Sequence, residues 1–267
     1  MRFMVKNIDP IVSPGQYRSH MHSFFGSDAV TKNMPTTEEL QKGCPSGQNP
    51  NDLSVYWIPT LYYVRSPTEY IEVNPGMFST YYENIDKAEI PYPANFFAVA
   101  GNASARSQSD VDERTTGLTW WCENGPEDRQ TRDRALMPRV TCSGNIQVIL
   151  RFPDCVNPGD IKNYAYSAAN GGRCPGGMKR IPQLRFSVRY NVRGLIPGGW
   201  NGTPPLKLAC GEVGEGRNTW MRVDGARGQG KAGAACTPKD RDPAGGTGDY
   251  LESVEMMNSA AASGHGH

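Results

Sequence analysis

Residues 184–192 alternate with period two. Leu184, Phe186, Val188, Tyr190 and Val192 are apolar, and Arg185, Ser187, Arg189 and Asn191 between them are polar. Successive side chains of a strand point to opposite faces, so this stretch predicts a β-strand with one buried face. The stretches FFAVAG (96–101), GLTWWC (117–122), NIQVILRF (145–152) and PLKLAC (205–210) predict further strands. So does SVYWIPTLYYV (54–64), whose Pro59 favours an edge or a bulge. Helical signals are few. PTTEELQKG (35–43) offers a threonine cap, early glutamates and a closing glycine, which predicts one short helix. GDYLESVEMMNSA (248–260) predicts a second.

Composition supports the same reading. Glycine (30) and proline (21) make up near a fifth of the 267 residues, which calls for many turns. Long loops are expected over 103–117 and 211–248, the second rich in glycine and charge. The chain is therefore expected to be mainly β: a single-domain β-sandwich or jelly-roll-like fold over residues 1–258, with long loops, disulfides and one or two short helices. SAAASGHGH (259–267) reads as a flexible tail.

Net charge is +1, which gives no general attraction to nucleic acid. No apolar run reaches the roughly 20 residues of a membrane span, and MRFMVKNIDP contains no apolar leader core. Seven cysteines occur without a C-x-x-C pair, so a zinc ribbon is not expected. Their wide spacing in glycine- and proline-rich loops fits disulfides of a secreted protein. The sequons at Asn102 and Asn201 are compatible with secretion. Spacing suggests Cys155–Cys174, Cys210–Cys236 and Cys122–Cys142, leaving Cys44 as the odd residue.

Candidate chemistry centres on GQYRSHMHSFFGSD (15–28). His20 and His22 are the only histidines outside the tail, and at i and i+2 of an extended segment they face the same way. Such a pair can carry protons or hold a divalent metal. Asp28 lies six residues beyond His22, and Asp9 precedes Pro10, which fixes an extended entry. Glu83 is a further candidate acid. Glycoside hydrolysis needs two carboxyl groups about the bond. Tyr56, Trp57, Tyr63, Tyr81, Tyr82 and Trp120 supply aromatic rings on which sugars could stack. A histidine with a tyrosine would instead suit a polysaccharide lyase. No H-E-x-x-H zincin motif or G-x-S-x-G elbow is present. GEVGEGRN (211–218) is neither a Walker loop nor a Rossmann fingerprint. Residue 1 is methionine, so a copper site on an N-terminal histidine is not supported.

The blocks DPIVSPG (9–15), HMHSFFG (20–26), DLSVYWIPTLYY (52–63), RFPDC (151–155) and IPQL (181–184) follow one another in an order that resembles the secreted fungal and bacterial family called domain of unknown function 1996. The resemblance covers roughly residues 8–255. It implies an extracellular domain, and the family's association with carbohydrate-binding modules implies glycans as partners. Relatives tend to carry further histidines after the F-P-x-C block. Here VNPGDIKNYAYSAANGGRC (156–174) has Asp160 and no histidine. Near the C-terminus the family tends to H-x-D-F. Here TGDYLESVE (247–255) keeps Asp249 and Tyr250 but has Thr247 in place of the histidine. The resulting expectation is a secreted, carbohydrate-active protein: a glycoside hydrolase acting through His20, His22, Asp28, Asp9 and Glu83. The alternatives are a lyase, or a glycan- or metal-binding module without catalysis. If the histidines are catalytic, alanine at either should abolish function and leave the fold intact.

Overall fold

Thirteen strands are present among the described residues of the computed structural model, which describes 1–49, 51–101, 110, 113–125, 136–210 and 236–263. They are β1 (Met4–Lys6), β2 (His22–Gly26), β3 (Val55–Pro59), β4 (Leu61–Ser66), β5 (Glu69–Val73), β6 (Pro75–Glu83), β7 (Thr119–Glu123), β8 (Asn145–Arg151), β9 (Cys155–Asn157), β10 (Asp160–Ala165), β11 (Lys179–Arg180), β12 (Gln183–Tyr190) and β13 (Leu206–Leu208). Helices are short or terminal: α1 (Thr37–Gln41), α2 (Glu113–Thr116) and α3 (Tyr250–Ser263). Every strand pairing is antiparallel, and the chain is mainly β as its pattern predicts. No helix among the described residues is long and apolar enough to cross a membrane.

Two compact units emerge. The first comprises Met1–Thr60, Ala94–Phe97 and Met221–His267; the second comprises Leu61–Pro93 and Ala98–Trp220. The stretch 54–64 splits between them. β3 ends at Pro59 and β4 begins at Leu61, because proline cannot donate to a ladder and a continuous strand stops there.

In the first unit, β1, β2 and β3 form one sheet in which Phe24 lies opposite Trp57, both fully buried. Gly26 has φ +83°, and a Cβ there would lie 2.0 Å from the Ser54 carbonyl oxygen, so only glycine fits. Thr36 caps α1. Its hydroxyl accepts from the Glu39 amide while the Glu39 carboxylate accepts from the Thr36 amide. The C-terminal segment joins this unit through Lys6 to Asp240 (2.6 Å) and the Thr247 amide to the Asn7 side chain (2.8 Å). It ends in α3, which runs through Ser263 and so occupies part of the expected tail; residues 264–267 lie outside the described residues.

The second unit contains the four-stranded sheet β6-β12-β8-β7 and two smaller sheets, β13-β4-β5 and β10-β9-β11. The alternation in β12 holds. Leu184, Phe186, Val188 and Tyr190 are at most 2% exposed, and Phe186 meets Phe78 and Phe152. Residues 96–101 form no strand, contrary to their pattern. Phe96, Ala98 and Ala100 are buried, but Asn95 in the left-handed region (φ 58°) and the prolines at 91 and 93 interrupt regular pairing.

Two of the expected disulfides form, Cys122–Cys142 and Cys155–Cys174. The third is Cys44–Cys236 rather than Cys210–Cys236, so the odd cysteine is Cys210. Proximity in sequence misleads here, because β1, β2 and the C-terminal segment share one unit although 192 residues separate the two sulfurs along the chain. Asn201 is exposed, while Asn102 and most of the 211–248 loop (211–235) lie outside the described residues.

Candidate functional site

The turn after β1 is organised by Asp9. With Pro10 fixing φ at the first position, Asp9 Oδ1 accepts from the amides of Ile11 and Val12 at 3.0 Å each. The carboxyl group is 1% exposed. Burial pushes its pKa up, and the two amides pull it back. Its second oxygen faces Nε2 of His22 at 4.0 Å, too far for a hydrogen bond. The Trp57 indole lies close enough to hold the Asp9 pKa down, yet its Nε1 makes no bond of hydrogen-bond geometry.

His22 opens β2 and is fully buried. Its Nδ1–H donates to the Ile8 carbonyl at 2.9 Å, because a carbonyl can only accept. The proton is therefore on Nδ1, and the lone pair of Nε2 points into the protein without a partner. His20 packs against it, with ring centroids 4.2 Å apart. His20 keeps some exposed surface, but its Nε2 is buried and also unpartnered. The expected juxtaposition of the two rings is present.

Both imidazoles are neutral. Desolvation lowers His22 to about 3 and takes His20 well below its ordinary range, with the neighbouring ring adding to the second. The bare Nε2 lone pairs are basic but buried, and His22 has no surface on which a polymer could rest. Among the described residues no three histidine, cysteine or acidic side chains converge as metal ligands. The geometry predicts that His22→Ala costs about 2–3 kcal/mol of stability, from a lost hydrogen bond, an orphaned carbonyl and a cavity. The variant should still fold below its lowered melting temperature. A thermal melt reads both.

The carboxylates named from sequence each have partners of their own. Asp28 is 1% exposed and fully engaged. It accepts from the Cys44 amide (2.8 Å), the Lys239 amide (3.1 Å) and Arg241 (2.7 Å), which fastens the C-terminal segment beside the Cys44–Cys236 bridge. That binds Asp28 into structure and away from the histidines. Glu83 belongs to the second unit. A shallow pocket of about 340 Å³ lined by Thr31, Met34, Glu39, Lys42 and Arg241 contains none of the candidate residues.

The aromatic candidates divide by burial. Tyr56 (3% exposed), Trp57 (0%) and Trp120 (3%) are core residues, and Trp120 stacks on Tyr190. No ring face remains on them for a sugar, which corrects the expectation. Tyr63 sits on β4 opposite Ile71 and Leu206. Tyr82 pairs with Leu184, on the apolar side of the four-stranded sheet, and packs near Tyr92. Tyr81, its neighbour, therefore faces the polar side and is 45% exposed.

Register brings Tyr81, Arg185 and Arg151 side by side in one row across β6, β12 and β8. The Arg185 guanidinium carbon lies 4.2 Å from the Tyr81 ring centroid. Glu83 bridges the two arginines, accepting from Arg185 Nε at 2.6 Å and Arg151 Nε at 2.9 Å. The next row is smaller: Ser79, Ser187, Ile149 and Thr119. Beyond it stand Met77, Arg189 and Gln147, with Arg189 paired to Glu123 at 2.5 Å. Neither arginine of the first row is among the candidates that the sequence pattern singles out. The alternation places Arg185 on the polar face, but only cross-strand register reveals its partners.

The family model "Domain of unknown function (DUF1996)" matches residues 9–218, more than half of the chain. The chain belongs to this family. Neither curated proteins nor solved structures give a match. The matched segment of this DUF1996 member holds the histidine centre and the whole Tyr81 row, and stops short of Cys236, Lys239 and Arg241.

Proposed function

We propose that the chain is an extracellular glycan-binding protein that holds a polysaccharide on the polar face of its four-stranded sheet without cleaving it. The observation that carries this is the row Tyr81–Arg185–Arg151. A half-exposed aromatic ring lies beneath a guanidinium, flanked by polar groups and a row of Ser79, Ser187, Ile149 and Thr119. Sugar rings present C–H faces to aromatic rings, and their hydroxyls and charges need fixed polar partners. Three disulfides suit an oxidising exterior.

Binding is preferred to hydrolysis because hydrolysis needs an acid and a second carboxylate at the bond. Asp9 is sealed under a turn, Asp28 is neutralised by Arg241, and Glu83 is shared between two arginines. The free Nε2 atoms of both histidines are buried, out of reach of a polymer.

A panel of soluble polysaccharides run against the protein by affinity electrophoresis tests this. At least one polymer should retard it, and Tyr81→Ala should weaken that interaction about tenfold, ~1.4 kcal/mol, with an unchanged melt. Neither new reducing ends nor ultraviolet absorbance of an unsaturated product should appear. Release of either by the purified protein would sink the non-cleaving reading. Full retention by Tyr81→Ala would remove the site from this face.

A further inference from the structure

We infer that the Arg151–Arg185 pair recognises a uronate carboxylate, so that the glycan held on this face is an acidic one. This rests on the glycan-binding reading above and names the class of its ligand. Each arginine spends only its Nε on Glu83. Among the described residues, the terminal nitrogens of both guanidinium groups bond to no acceptor. A guanidinium tethered at Nε keeps its two outer N–H groups free as a planar fork, which is the shape a carboxylate fits with two parallel hydrogen bonds.

Three further features favour an anion over a neutral sugar. Two positive groups share one negative charge, so the row keeps a net positive charge. The groups are set rather than floppy: Arg185 and Arg151 side chains are only 18% and 36% exposed, and Arg185 is pinned between Glu83 and the Tyr81 ring. Room for Arg151 is built in by a glycine. A Cβ at Gly117 would come within 2.6 Å of Arg151 Nη1, and Gly117 itself adopts φ +54°. A ring stacked on Tyr81 would place an equatorial carboxylate substituent beside the Arg185 fork, the two contacts a uronic acid offers together.

The probe is an oligogalacturonate, compared with the same oligomer fully methyl-esterified and with a sulfated neutral oligosaccharide, by titration calorimetry at fixed ionic strength. The oligogalacturonate is expected to bind, and its methyl ester to bind at least tenfold more weakly, since esterification removes the charge and leaves the ring. Arg185→Gln and Arg185→Lys should each weaken the acidic ligand ten- to a hundredfold, lysine included because a point charge cannot make the fork. Gly117→Ala should weaken it too, by displacing Arg151 without touching the ligand. Melting curves of all variants at one pH separate binding loss from unfolding.

Equal affinity for the acid and its ester would overturn the uronate inference and leave glycan binding standing. Preference for the sulfated oligomer over the uronate would also overturn it, since a tetrahedral sulfate does not need the planar fork. Binding only to neutral members of the polysaccharide panel overturns it in the same way. Absence of binding to every glycan, acidic or neutral, overturns the parent reading instead.

Discussion

Replacing both Cys44 and Cys236 with alanine is expected to lower stability by about 5 kcal/mol, and the melting temperature by roughly 10 °C. The bridge spans 192 residues, the longest loop any of the three disulfides closes. Its removal returns to the unfolded chain the freedom of a loop of 192 out of 267 residues. By the same loop-entropy relation, Cys122–Cys142 and Cys155–Cys174, at separations of 20 and 19, are worth about 3 kcal/mol each. Calorimetry on the three double-alanine variants gives the ranking. The Cys44–Cys236 variant should still fold, because Asp28 continues to tie Cys44 to Lys239 and Arg241 from an almost fully buried position. A smaller loss for this bridge than for the short ones would refute the loop argument.

Acid should destabilise the protein in the window from pH 6.5 to 4.5. His20 and His22 are neutral in the folded state, with pKa values driven below the ordinary range by burial. In the unfolded chain they take protons near pH 6.5. The unfolded state therefore binds more protons below that pH, and stability falls as the pH falls. His22 contributes about 1.4 kcal/mol per pH unit, roughly 2–3 kcal/mol over two units, and His20 adds to it with the same sign. The His22 contribution keeps eroding until the pH approaches about 3. Asp9 acts with the opposite sign. Its carboxyl is raised, so the stabilisation it gives is complete in acid and is lost as the pH rises through its folded pKa. It offsets the histidines wherever the pH lies below its folded pKa.

Melts between pH 7.5 and 4.5 measure this directly. His22→Asn keeps a side-chain N–H for the Ile8 carbonyl and removes the titration, so it should take the His22 share, about 1.4 kcal/mol per pH unit, out of the slope. A variant that melts with the wild-type pH slope would show that the acid sensitivity originates elsewhere. A flat wild-type profile would contradict the neutral, buried pair itself.

Local signals in the sequence translated well. The Thr36–Glu39 capping box, the alternation of β12 and the two short-range disulfides all depend on residues within about twenty positions of one another, where spacing dictates geometry. The convergence of His20 on His22 was legible for the same reason. What failed was everything set by long-range register. Trp57 and Trp120 look the same as Tyr81 in a one-dimensional reading, yet the first two are buried and the third is half-exposed. The placement of Arg151 beside Arg185 depends on the pairing of β8 with β12, and their shared Glu83 comes from β6. Asp28 looked like a partner of His22 because it is six residues away, whereas its partners, 16 to 213 positions distant, include Arg241.

The first unit is interrupted along the chain by the second, which has a consequence for biosynthesis. Leu61–Trp220 must be made between the two halves of the first unit, apart from Ala94–Phe97. At a synthesis rate of ~5–20 residues per second, Cys44 waits about 10–40 s before Cys236, 192 positions later, is made. During that interval Cys122, Cys142, Cys155, Cys174 and Cys210 all appear before the correct partner. The nascent chain therefore depends on a shuffling catalyst, or on prompt closure of the short bridges, to keep Cys44 from being captured by a sulfur that arrives first.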